Sequence, residues 1–207
     1  MNMAGEVGHV VYAARLLTHL KDSVHDPEYW VRTLFPDIRH LGVISRQHTH
    51  TKGVTLSSLV GTNDFATGMR VHSWVDATRE QYLSSQNIKE TLPWHPFVPH
   101  ALKLLEDELL YDRFDDWNLI HRLLNSVSDD ELHYVHDRQR ILTWHSILQS
   151  YFAHTPDNAS RSELAIGIGL SANSAEEINS VVARLREHKK TIEIIESFWD
   201  HLERILI

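Results

Sequence analysis

Apolar residues recur every three to four positions along most of this chain, and no stretch sustains period-two alternation. The sequence must therefore bury helix stripes rather than sheet faces. In residues 7–20 the apolar set Val10, Val11, Ala13, Ala14, Leu16, Leu17 and Leu20 predicts a first helix, with His9 at its start. Residues 65–83 predict a second, with Phe65, Met69, His72, Val75, Asp76 and Leu83 along one side. A third, over residues 100–114, carries Leu102, Leu105 and Leu109 as a stripe among strong helix formers. Residues 115–125 and 128–152 predict two more, the latter opened by a Ser128-x-x-Glu131 capping box. Residues 174–207 predict one final long helix, capped by Ser174 with Glu177 three residues on. Residues 26–50, after a short turn or helix at 27–34, are broken at Pro36 and Gly42 and read as a structured loop. Residues 51–63 form a Gly/Ser/Thr/Asn segment, and Pro93, Pro96 and Pro99 punctuate a further loop. The expected fold is an all-α multi-helix bundle, one domain over residues 1–207 whose softest point is the polar stretch 155–162.

The chain has no cysteine but 16 histidines in 207 residues. There is then no disulfide framework and no thiolate, and any metal must sit on His, Asp or Glu. The formal charge of −8 argues against a stable complex with nucleic acid or an anionic membrane. No apolar run approaches the roughly 20 residues of a membrane span. Glu6, His9, Arg15 and His19 interrupt what would be a signal-peptide core, so the expectation is a cytoplasmic protein. Oligomeric state is left open by the sequence.

Four groups of residues carry possible chemistry. His72-Ser-Trp-Val-Asp76 places an imidazole and a carboxylate one turn apart on one helix face, a spacing that suits a single ion or an ordinary surface hydrogen bond. Phe35-Pro36-Asp37-Ile38-Arg39 and Arg46-Gln-His48-Thr-His50 supply loop carboxylate and imidazoles, as site residues or as a turn cap and solvated histidines. His9 would bring a third chain segment. Glu106 lies beside the stripe of the third helix, where an unpaired charge is expensive; a metal, a role as base or an arginine salt bridge would each relieve it. A rival motif is His133 with His136-Asp137, similar to the doublet of HD-type metal phosphohydrolases.

Taken in order, the helix-opening His9, the P-D-I-R segment, the R-Q-H-T-H segment and the helical H-x-x-x-D resemble the prokaryotic zinc-dependent phospholipase C family. That family is similar to the S1/P1 nucleases, an all-α fold whose zinc cluster hydrolyses phosphodiester bonds. The resemblance covers Gly8 to about Asp112. It implies His9, Asp37, His50, His72 and Asp76 as metal ligands, with Asp76 where a carboxylate can bridge two ions. It also implies a metal-site half, about 1–112, followed by a C-terminal helical extension, about 113–207. The implied activity is hydrolysis of a small-molecule or lipid phosphoester by water activated on a divalent metal, zinc first and manganese or iron next. Arg39 and Arg46 would grip phosphate or orient a carboxylate. The chain departs from the family in opening with Met1 instead of a metal-binding tryptophan, and in having Leu104 four residues after His100 in place of a second histidine–acid pair. Beside the HD-type enzyme, the remaining alternative is a helical metal-binding or interaction protein without turnover.

Overall fold

Most apolar positions of the stripes read from the sequence are buried, while Ala14, Leu17 and Leu109 are only partly so. A computed structural model describes residues 4–20, 28–59, 65–92 and 94–206, and shows helices and turns with no strand among them. Pro27, residues 60–64 and Pro93, which fall in segments read above as turn or loop, lie outside the described residues. In the first half the helices are α1 (Glu6–Leu20), α2 (Tyr29–Leu34), α3 (Arg46–Thr49), α4 (Phe65–Ser85), α5 (Ile88–Thr91) and α6 (Val98–Leu110). The second half adds α7 (Trp117–Leu123), α8 (Asp129–Tyr134), α9 (Arg138–Tyr151), α10 (Asn158–Gly167), α11 (Ala172–Glu187) and α12 (Lys189–Leu206). Short 3₁₀ segments at Phe35–Leu41, Leu56–Leu59 and Tyr111–Arg113 fill connections.

Helix α1 is the centre of the first half, packed by α2, α4 and α6. Val7, Val10, Val11, Tyr12, Ala13 and Leu16 are all buried, a stripe wide enough to meet three neighbours. Each such aliphatic side chain contributes about 1.5–3 kcal/mol on leaving water. One hydrophobic cluster runs from Ala4 to Leu206, so residues 113–207 share a core with 1–112, and α11 lies against α6. Trp74 and Trp144 are both core residues. No described helix is long and apolar enough to cross a membrane.

Two predicted long helices are each broken. The Ser128/Glu131 capping box is present, but α8 ends at Val135 in extended backbone, and Asp137 caps α9 by accepting from Gln139 N and Arg140 N. Helix formers run through the break, but a capped second start satisfies orphan amide donors and lets the chain turn. The final helix is likewise two, separated by an extended His188, and α11 is capped by Ser171 rather than Ser174. The soft stretch 155–162 is ordered by a second capping box, Asp157 with Ser160, which starts α10.

Candidate metal centre

The loop carrying Asp37 is not irregular. Pro36 stands in the first turn of the 3₁₀ segment, where its fixed φ is favourable, and Gly42 closes that segment at φ 73°. Asp37 is thereby turned inward and fully buried. His50 follows α3 in extended backbone, and the next amide, Thr51 N, donates to Ser73 Oγ at 3.0 Å, which ties His50 to the residue after His72. His72 and Asp76 share a face of α4, and His9 is the fourth residue of α1.

These five side chains meet. His9 Nε2 lies 3.4 Å from Asp76 Oδ1, while His50 Nε2 and His72 Nε2 lie 3.6 and 3.7 Å from Asp76 Oδ2. His72 Nε2 is also 4.0 Å from Asp37 Oδ1. The rings of His9 and His72 stack, with centroids 3.7 Å apart. These gaps decide between two readings. A hydrogen bond would close them to about 2.7–3.2 Å, whereas two atoms each about 2.1 Å from one tetrahedral ion stand roughly 3.4 Å apart. The observed spacing is open enough for these atoms to share a cation. Both nitrogens of His9, Nε2 of His50 and His72, Oδ2 of Asp37 and Oδ2 of Asp76 are buried without a hydrogen-bond partner, while Asp37 Oδ1 has the Arg39 guanidinium 3.0 Å away. Such orphaned groups are costly unless something else satisfies them.

Protonation fits a cation as well. His72 Nδ1 lies 2.9 Å from the Thr33 carbonyl oxygen, which can only accept, so Nδ1 carries the proton and Nε2 presents a lone pair. Burial pulls the His72 imidazole down to about 3, with His9 adding to the effect, so the ring is neutral across the physiological range. Burial pushes the Asp37 carboxyl up, but His72, His40, Arg39 and His9 together hold it below the usual carboxylate range. Asp76 is also held well below that range, its burial outweighed by the imidazoles of His50, His72 and His9 around it. Neutral imidazole and ionised carboxylate are the forms that ligate.

The five form two overlapping triads, His9/His72/Asp76 and Asp37/His50/His72, the groups of this type among the described residues. Both use His72, which has a single free nitrogen because Thr33 engages the other. One imidazole nitrogen serves one ion, so an ion held by either triad would use the same His72 nitrogen.

The chain matches no protein-family model, no curated protein and no solved structure. The phospholipase C resemblance therefore rests on these residues and their order.

Glu106 does not join the cluster. It is in neither triad; its Oε1 accepts from the Tyr12 hydroxyl and its Oε2 from Arg79 Nε. The arginine salt bridge is what relieves its buried charge. The HD-type doublet also separates from the site: His133 and His136 are not in either triad, and the Asp137 carboxylate caps α9. His145 is buried, with Nε2 2.7 Å from Glu131 Oε1. His48 is exposed and pairs with Ser45, so it is His50 that turns inward.

Sequence reasoning missed Glu6, buried one turn before His9, with Oε2 lacking a partner. The three-residue spacing to His9 was the available signal. Burial pushes its carboxyl well up, and the charges of Asp37 and Asp107 add to that. It also missed Asp107, whose Oδ1 accepts from Gly8 N at 2.8 Å and Oδ2 from the Tyr151 hydroxyl at 2.9 Å.

Burial lifts the Asp107 carboxyl to about 6 against the lowering pull of those two donors. The folded chain thus keeps a proton that the unfolded chain releases from about pH 4, and stability falls as pH rises through that window to about 6. Asp107→Asn retains an acceptor for Gly8 and places an amide opposite Tyr151. Urea unfolding should find the variant close to wild type at pH 5 and more stable by about 1–3 kcal/mol at pH 8. A variant weaker by the same amount at both pH values would refute this account.

Proposed function

We propose that this chain is a metal-dependent hydrolase of phosphoesters, with a divalent ion, zinc first, held by ligands drawn from His9, Asp37, His50, His72 and Asp76. The observation that carries the proposal is the separation of 3.4 to 4.0 Å among their facing nitrogen and oxygen atoms, too wide for hydrogen bonds and suited to a shared cation. When bound, such an ion supplies Lewis-acid activation of water and neutralises phosphoryl charge. The chain's own residues set the rest. Thr33 fixes the His72 tautomer, and Ser73 fixes the segment that carries His50. Arg39 lies 3.0 Å from Asp37 Oδ1 and Arg46 lies 3.7 Å from Asp76 Oδ2, so two guanidinium groups border the site and favour an anionic substrate.

A closed structural metal site is the second reading, favoured by burial: the five side chains are at most 7% exposed, and closed shells are the mark of structural ions. The 470 Å³ cavity lined by Glu28, Arg32, Phe65 and Glu131 includes none of the five.

Elemental analysis of protein purified without a histidine tag should find at least one equivalent of zinc, manganese or iron. Turnover of a bis-nitrophenyl phosphate, lost in His72→Ala, supports the hydrolase. Metal without turnover supports the closed site, and metal-free protein removes both.

A further inference from the structure

The geometry points to Glu106 as the positioning residue that sets the spacing of the two metal-bearing helices, by holding Tyr12 of α1 and Arg79 of α4 on its two carboxylate oxygens. The inference rests on the metal-site reading above. Tyr12 is three residues after His9, and Arg79 is three residues after Asp76. In each helix the bonded residue therefore follows the candidate ligand on the same face, about 4.5 Å along the axis. One carboxylate from a third helix closes the loop between them: Oε1 accepts from Tyr12 and Oε2 from Arg79. His9 Nε2 and Asp76 Oδ1, 3.4 Å apart, are the groups whose separation this strap controls. All three strap side chains are buried, and the fully buried Tyr12 hydroxyl stays protonated because burial and the Glu106 charge push it well above its ordinary range. A buried carboxylate with both oxygens engaged in this way resists displacement. The neighbouring Asp107 fixes the start of α1 through Gly8 N, so α6 holds that helix at two consecutive positions.

A control lies one residue further along α6. Glu108 accepts from Arg161 Nη1 and Arg186 Nη2, each at 2.7 Å, and ties α6 to α10 and α11 without touching α1 or α4. If Glu106 serves only to hold the fold together, Glu106→Gln and Glu108→Gln differ in melting temperature alone.

Zinc affinity, measured by chelator competition on the folded protein, and the visible spectrum of the cobalt-substituted protein separate the two roles. Glu106→Gln should weaken zinc binding by about 10- to 100-fold, the range of outer-shell changes, and alter the cobalt spectrum. Tyr12→Phe, which leaves the Arg79 pair intact and removes one hydroxyl, should weaken binding by a smaller factor and keeps the test open if Glu106→Gln does not fold. Glu108→Gln should leave affinity and spectrum unchanged. Wild-type affinity and spectrum in Tyr12→Phe and in any folded Glu106→Gln overturn the positioning role alone. A wild type that binds neither zinc nor cobalt overturns the metal-site reading and this inference with it.

Discussion

Asp76→Asn is expected to abolish zinc binding and, with it, any phosphodiesterase turnover. Asp76 is the hub of the cluster: Oδ1 accepts from Ala4 N at 3.0 Å and faces His9, while Oδ2 faces His50 and His72. Asparagine preserves the shape and an acceptor for Ala4 but removes the charge and turns an amide toward imidazole lone pairs. Changing a group that merely supports a ligand costs about 10–100-fold in affinity; losing this carboxylate should cost more than 100-fold. Stability supplies a second readout. An ion present at about 100 times its Kd adds about 2.7 kcal/mol, which for a chain of this size is roughly 5–10 °C in Tm. Wild type should lose about that much on adding a strong chelator, while Asp76→Asn should melt at the same temperature with and without it. A chelator effect of equal size in both proteins would show that the ion sits elsewhere.

The parts of this site that were legible in the sequence are those encoded locally. His72 and Asp76 are one helical turn apart, so their shared face follows from the period of α4 alone. Asp37 and His50 were marked as candidates by residue type and by the P-D-I-R and R-Q-H-T-H segments that carry them, but nothing local brings those segments to α4. Their convergence, with His9, was legible only through the order of motifs. Glu106 shows the limit from the other side. Its place beside a buried stripe correctly signalled a need for a partner, and the partner, Arg79, lies 27 residues earlier on a different helix. The same limit produced the two unbroken helices: residues 128–152 and 174–207 have helical composition throughout, and only the Asp137 cap and the extended His188 divide them. The Thr33 carbonyl, which fixes the His72 tautomer, has no side-chain signature at all.

That carbonyl depends on a glycine, and Gly68→Ala carries the second large expected effect. A Cβ added at Gly68 would stand 2.3 Å from Arg32 Cβ and 2.8 Å from Arg32 C. Carbon atoms in contact sit at about 3.5–4.0 Å, so α2 would have to retreat from α4 by about 1 Å. Two effects oppose each other. Alanine in a helix interior is favoured over glycine by about 1 kcal/mol, and overpacking costs about 1–3 kcal/mol or more. The clash wins here because the atoms met include main chain, which cannot rotate aside. A net loss of about 2 kcal/mol, or roughly 4–8 °C in Tm, is expected. Function should suffer beyond stability. Thr33 follows Arg32 directly, and its oxygen is 2.9 Å from His72 Nδ1, on the residue one turn after Gly68. Moving α2 outward stretches that bond, frees the His72 tautomer and weakens zinc binding by about 10–100-fold. Gly8→Ala is the matched control: its added Cβ would meet its nearest atoms at 3.5 Å, ordinary contact, so stability should hold or rise by up to about 1 kcal/mol and zinc affinity should stay near wild type. Equal behaviour of the two alanine variants would mean that the approach of α2 to α4 does not govern the site.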